Sequence, residues 1–597
     1  MLPLAKPLLR DLNHSVRHLF ASQLGFVAHW LAKATESEDF TGCRVSASAV
    51  QPPDESGSVA ALPLDFFPVW PLPECEAMGV PQLLLAATHQ LLLPWLRLLL
   101  SDPQPPVRAA ACSSLVVLLR HPLARHGPSQ RLVLDDALAL LSGPSADEYQ
   151  RESAVSLLRA CCGLLPVESL ISTHLPRLAD GFACDRHGIV REAAVPALGA
   201  VASLLRADQH RAAIASLLAC FLTLTADPLW KVRKECVVVI PALAPLLDEE
   251  VLHGAFTERT VALLQDDSRW VRFCFAEDLG RIIVCYSRFS RGPPSQLVDF
   301  FVGMASKAAL TLGIGDQDGA ILAAYSFPAV LSTMGAGAWE PQLKAVYLGL
   351  SRDFQHRVRK TLAHSLHEVA RALGEQATEA DLLPVFDRYL SDSPEVMQGV
   401  VQNIGQLLQF MSPKQRKKYL PLLKDLYADK DDWRSRLSIV QQLGALAPIV
   451  SPEFVVEVLL GSCRDRVAEI RSAASSQIGP SYATLASSNP LKAAELLAGL
   501  LPMAADKIQL RQTFARAAFS MLLNMPAALY AEQILPGLLR LAQDPVANIR
   551  LACASVVSHP LLKTSDFAPL ASQIAHLIAQ LKEDNDLEIR QIMNQTY

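Results

Sequence analysis

The chain has 597 residues, 51% hydrophobic and 19% charged, enough apolar material for a large core and too much for a globally disordered chain. Lys and Arg number 54 against 59 Asp and Glu, a formal net charge of −5, which argues against a surface built to neutralise nucleic-acid phosphates. Mean hydropathy is +0.23, yet Ala212–Ala226 is too short and too rich in Ser and Thr to span a bilayer, and Pro94 and Arg97 interrupt Leu83–Leu100.

No basic, apolar, small-residue order opens the sequence as a secretory signal would. The expected compartment is the cytoplasm, with the nucleus as a second one. The 12 cysteines fit this: Cys220, Cys236, Cys274 and Cys553 sit singly in apolar segments, and Cys161 and Cys162 are adjacent. There is no C-x-x-C, so neither a zinc site nor a redox motif is written.

Along the chain one pattern recurs: Asp, four residues, Val or Ile, then Arg. It begins at Asp11-Val16-Arg17 in a predicted first helix pair, residues 1–32. Residues 33–80, rich in Ser, Pro and acids (TESEDF, QPPDESGSV), lack helical period and are expected to form a loop or disordered insert. An N-terminal array is predicted over 81–286, with the pattern at Asp102-Val107-Arg108, Asp185-Val190-Arg191, Asp227-Val232-Arg233 and Asp266-Val271-Arg272. Residues 287–300, containing SRFSRGPPSQ, are read as a linker. A C-terminal array is predicted over 301–597, with Asp353-Val358-Arg359, Asp465-Ile470-Arg471, Asp544-Ile549-Arg550 and Asp584-Ile589-Arg590.

Adjacent copies lie about 40 residues apart, the period of two-helix HEAT and armadillo units. After each Val-Arg, apolar residues recur at helical spacing, as in Val190/Ala194/Leu198/Val201 and Val271/Phe275/Leu279/Ile282. The expected fold is an all-α HEAT-repeat solenoid of about 13–14 units, curved into a superhelix, because no unit buries its apolar face alone. Each Asp is placed to accept amide hydrogen bonds where the second helix opens. Each Arg is placed to reach the Asp of a neighbouring repeat. Asp227, Arg233, Asp266, Arg272, Asp353, Arg359, Asp544 and Arg550 are therefore read as a structural ladder. Leu383-Pro384, Leu420-Pro421 and Leu535-Pro536 are read as opening first helices.

Catalytic chemistry is not legible. G-x-S-x-G, G-x-x-x-x-G-K-[ST] and G-x-G-x-x-G are all missing, and Gly313-Ile-Gly315 reads as a turn. His364 and His367 lie i, i+3 beside Glu368, without a matching pair in other repeats, and Asp429–Asp432 (DKDD) reads as an inter-helix turn. No catalytic residue, metal or cofactor is assigned. The informative positions are large residues near the inter-helix turns: Trp230-Lys231, Trp270 and Trp433-Arg434, of types enriched at interface hot spots and read as sharing one register.

At these residues a resemblance enters. Asp431-Asp432-Trp433-Arg434-Ser435-Arg436 and Asp544 through Arg550 resemble turns of the type 2A protein phosphatase scaffold subunit. Tyr325-Ser-Phe-Pro328 through Leu407, including His356 through Glu368, is similar to the regulatory subunit 1 family of protein phosphatase 4, with Ser435 standing where the related string has Val. The resemblance implies a non-catalytic scaffold that binds a serine/threonine phosphatase catalytic subunit through its turns and directs it to substrate phosphoproteins. It implies partner contacts at Trp433 and Arg434, and further at Arg471, Arg511 and Asn548; Trp230, Lys231 and Trp270 form a second candidate ridge. The alternative is another HEAT adaptor such as a nuclear transport receptor, a class usually longer and more acidic.

Overall fold

The computed structural model describes residues 13–24, 92–120, 127–306, 316–563 and 571–596. The predicted insert at 33–80, Asp11 and Gly313–Gly315 lie outside these residues. Every regular element among the described residues is a helix. They fall into two compact units, one running to Phe301 and the other starting at Val302.

Within each unit the second helices of the repeats stack side by side. In the first unit these are α1 (Pro105–Arg120), α2 (Glu148–Cys161), α3 (Gly188–Ala202), α4 (Trp230–Leu243) and α5 (Arg269–Val284). In the second they are α6 (Asp316–Met334), α7 (His356–Leu373), α8 (Pro394–Val401), α9 (Trp433–Gln441), α10 (Ala468–Ser488), α11 (Ile508–Leu522), α12 (Ala547–Val557) and α13 (Leu587–Thr596). First helices such as Arg211–Leu224 and Pro452–Ser462 cover them on one side. The apolar stripe is the core: Val190, Ala194, Leu198, Val201, Val271, Phe275, Leu279 and Ile282 are all fully buried. Each buried Leu, Ile or Phe stabilises its layer by about 1.5–3 kcal/mol.

The first helices depart from expectation at proline. Leu383-Pro384 and Leu535-Pro536 do open helices, Leu383–Tyr389 and Leu535–Leu541. Leu420-Pro421 instead lies inside Pro413–Ala428, which starts seven residues earlier after Ser412. A proline inside a helix forfeits one hydrogen bond and is tolerated where packing compensates.

The ladder is a row of forked ion pairs. Arg233 Nε lies 2.6 Å from Asp266 Oδ2 and its Nη2 lies 2.8 Å from Oδ1, while Nη1 donates to the Asp227 carbonyl at 2.8 Å. Each Arg thus ties its own turn to the next one. The same fork joins Arg151 to Asp185, Arg191 to Asp227, Arg359 to Asp392, Arg511 to Asp544 and Arg550 to Asp584. Arg272 donates to the Asp266 carbonyl, and the Asp353 carbonyl accepts from Arg359. The Asp acts two residues ahead of the helix cap: Asp227 Oδ1 accepts the Leu229 amide at 2.8 Å, and Leu229 is the N-cap of α4. The amide satisfied is therefore that of the cap residue and not of the first helical turn.

Arg17 pairs with Asp102 at 2.6 Å over a separation of 85 residues, where the Arg233 rung spans 33. The helix containing Arg17 is thus a direct neighbour of α1 in the ladder, and Ser114 Oγ donates to the Ala21 carbonyl across the same contact. The linker expected at 287–300 is shorter, because the helix Ser295–Met304 begins inside it. Its turn is tied down by Arg288, which donates to the carbonyls of Ala244, Pro245 and Leu247 and lies over the Phe289 ring.

Candidate partner-binding surface

The first-unit ridge is built where α4 and α5 begin. Trp230 is the first residue of α4 and Trp270 the second of α5, so the two differ by one position in register. Their rings nevertheless stack, with centroids 6.5 Å apart and planes at 27°. The Arg269 guanidinium lies 4.5 Å from the Trp270 ring centroid. Trp270 stays 50% exposed and Lys231 is exposed, so a cation-flanked aromatic pair faces outward.

In the second unit Trp433 opens α9, three residues before Arg436 as Trp230 stands before Arg233. Both Trp433 and Arg434 belong to the first helical turn rather than to the loop. Asp432 caps this helix, accepting the Arg434 and Ser435 amides at 3.1 and 3.2 Å and the Ser435 hydroxyl at 2.5 Å. That hydroxyl gives a physical reason for Ser at position 435. Arg434 lies 4.7 Å from the Trp433 ring centroid and is exposed, with Trp433 half-buried beneath it. Asp429 Oδ1 accepts the amides of Asp431 and Asp432, and these bonds hold its carboxyl below the ordinary range. The DKDD string is therefore the turn itself.

The other three candidates diverge. Arg511 is a ladder rung, its Nε 2.6 Å from Asp544 Oδ2, so most of its donors are spent within the array. Arg471 occupies the equivalent place on α10, but its Nη1 donates only to the carbonyls of Asp465 and Arg466. The next turn has Ala505 six residues before Arg511, with Asp506 one position later, so the ladder acceptor is missing. Asn548 is exposed and lines a cavity of about 570 Å³.

That cavity crosses α10, α11 and α12 in two rows. One row holds Ser472, Gln512 and Leu551, each the residue after a ladder Arg; the other, one turn further on, holds Ser476, Arg516 and Ser555. Phe519 closes one end, 37% exposed, with its ring fixed edge-on against His559 at 5.4 Å. Sequence reading fixed on the turns and missed these residues. The usable signal was the pair of rows one and five residues after each ladder Arg, half-buried in the first and exposed in the second.

Elsewhere, His364 and His367 lie on α7, where burial lowers the pKa of both; His367 Nε2 sits 3.2 Å from Glu368. Among the described residues no three His, Cys, Asp or Glu side chains are grouped to hold a metal ion. No single described helix is long and apolar enough to cross a membrane. The pair Asp318–Met334 and Ala336–Leu350 meets that test only jointly and is bent by 115° around the packed rings of Phe327, Trp339 and Tyr347.

Comparison with known proteins narrows what this surface belongs to. Residues 323–426, most of α6 with α7, α8 and most of the helix Pro413–Ala428, match the model of the protein phosphatase 4 regulatory subunit 1 middle domain. Human serine/threonine-protein phosphatase 4 regulatory subunit 1 is 31% identical over 313 residues, and the rat protein equally so. Over part of its length the chain is similar to that family. The matched stretch covers 50% of this chain and 32% of the human protein. Residues 92–121, α1 with the helix before it, match the HEAT repeat model.

Solved structures give the same architecture. An importin beta crystal structure superposes with a TM-score of 0.57 over 100% of this chain and 78% of its own, at 13% identity. Yeast importin-beta gives 0.56 over 99% and 81%, also at 13%. At that identity the likeness is one of fold.

Proposed function

We propose that the chain is a non-catalytic regulatory scaffold of a serine/threonine protein phosphatase of type 4 or a type 2A-like enzyme. In this reading it holds the catalytic subunit on the ridge that starts at Trp433 and Arg434 and directs it to phosphoprotein substrates in the cytoplasm and nucleus. The observation that carries the reading is the match of residues 323–426 to a phosphatase regulatory-subunit domain, supported by 31% identity over 313 residues. The ridge adds a half-buried Trp under an exposed Arg, the residue types that dominate protein interfaces. A net charge of −5 fits a protein partner better than nucleic acid.

The test is binding of purified chain to recombinant phosphatase 4 catalytic subunit by interferometry. Trp433→Ala with Arg434→Ala should weaken it by at least about tenfold, since hot-spot truncations cost about 2 kcal/mol each. The unfolding midpoint should stay close to the parent's. Unchanged affinity in the folded double variant removes these residues from the interface, and no binding by the parent chain overturns the phosphatase reading.

A further inference from the structure

The cavity across α10, α11 and α12 has no carboxylate in its lining although it contains Arg516, and Arg516 has no ion-pair or hydrogen-bond partner among the described residues. Beside it, Gln512 and Asn548 hold side-chain amides that bond to nothing among the described residues. An amide side chain presents one donor and one acceptor edge, the complement of a peptide unit in an extended strand. The Ser476 and Ser555 hydroxyl protons are already given to the carbonyls of Ser472 and Leu551, leaving oxygen lone pairs to accept from a ligand. Phe519 and Leu551 supply the apolar end.

From these groups we propose that the cavity is a docking groove for a short extended segment of a partner protein. That segment places one carboxylate side chain on Arg516 and one apolar side chain against Phe519. Stacked helices lie about 8–10 Å apart, so three of them span about 20 Å, the length of about six extended residues. One guanidinium with no second cation in the lining matches the single charge of a carboxylate better than the double charge of a phosphate. The walls are pre-organised: Phe519 is held by His559, and Ser520 Oγ ties α11 to α10 directly behind the groove. Arg516 and Phe519, which carry this proposal, are not among the residues of the turn ridge, and only Asn548 belongs to both sets, so the proposal is tested without the phosphatase.

The probe is an immobilised library of synthetic hexapeptides with one position fixed as Glu and another as Leu or Phe, read with the labelled full chain. Matched sets carry Gln, Lys or phosphoserine in place of Glu. Glu should be preferred over Gln by about tenfold, the scale of one charged hydrogen bond. Arg516→Glu should reverse the preference towards Lys, and Phe519→Ala should erase selection at the apolar position. Arg516 is exposed and unpaired, so its variant should keep the parent's unfolding midpoint. Equal binding of Glu and Gln, an unchanged preference in Arg516→Glu, or stronger binding of phosphoserine than Glu would each overturn the proposal.

Discussion

Replacing Gly479 with Ala should loosen the most tightly apposed pair of helices in the second unit. A Cβ at position 479 of α10 would lie 2.1 Å from the Ser520 carbonyl oxygen of α11 and 2.6 Å from Ser520 Oγ. A carbon–oxygen contact needs about 3.3 Å, so the two backbones must part by about 1 Å. The parting breaks a designed junction. Pro480 has no N–H and so leaves the Ser476 carbonyl of α10 without its helical donor; Ser520 Oγ supplies that bond at 2.8 Å while accepting the Gly479 amide at 3.0 Å. Overpacking costs about 1–3 kcal/mol and the two hydrogen bonds about 1 each, against a helix-propensity gain of about 1, leaving a net loss of about 2–4 kcal/mol. Urea unfolding with hydrogen exchange over residues 468–522 reads this directly. Gly349→Ala is the control: its Cβ would meet nothing within 4 Å, and it should be neutral or stabilising by up to about 1 kcal/mol. Equal midpoints and equal exchange for the two variants would refute the close-approach argument.

Arg233→Met should cost about 2 kcal/mol in urea unfolding, because it strands the Asp266 carboxylate at 9% exposure. Arg108→Met should be neutral or stabilising: this guanidinium is fully buried, its Nη1 donates to the carbonyls of Asp102 and Pro103, and among the described residues its Nε and Nη2 lack partners. The Arg359 and Arg550 bonds are the main cause holding the Asp392 and Asp584 carboxyls below the ordinary 3.8. These groups therefore add stability that is complete above about pH 5 and is lost as pH falls below about 4; urea midpoints at pH 7, 5 and 3 should show it, and Arg359→Met with Arg550→Met should shrink the drop. Among the described cysteines, exposed Cys184 should react first with a maleimide by mass mapping. Cys112 and Cys161, pushed up to about 12 by burial, should label only on unfolding.

The fold was legible because its rule is local and repeated. The Val or Ile five residues after Asp is fully buried at Val107, Val190, Val232, Val271, Val358, Ile470, Ile549 and Ile589, and half-buried at Val16. A period of about 40 leaves little choice but to stack such units. Spatial relations between repeats were less legible. Nothing in the spacing says that Trp270, one position later than Trp230, still meets its ring, or that Arg288 folds a Pro-Gly stretch back onto three carbonyls. Arg511 and Arg471 look alike in sequence, and only the position of the next turn's Asp separates a spent cation from an open one. The cavity was illegible for a further reason: its polar residues face out from helices whose apolar residues carry the periodic signal.

A repeating rule makes its exceptions informative. Where an Arg meets the Asp of the next turn, charge is consumed inside the array, and the turn offers a partner little beyond its exposed aromatic. Where the spacing slips, at Ala505-Asp506, the fork of Arg471 is left without a carboxylate, and on the same two helices Arg516 also stands alone. Leaving two guanidinium groups unmatched costs the fold ion-pair energy that eight Arg–Asp rungs among the described residues collect, so the slip is not explained by stability. Restoring the rung by Ala505→Asp supplies an acceptor in ladder register. It should raise the unfolding free energy by about 0.5–1 kcal/mol, read from urea titration, and leave Arg516 and the hexapeptide preference untouched. A loss of peptide binding in that variant would show instead that Arg471 and Arg516 serve one anion together.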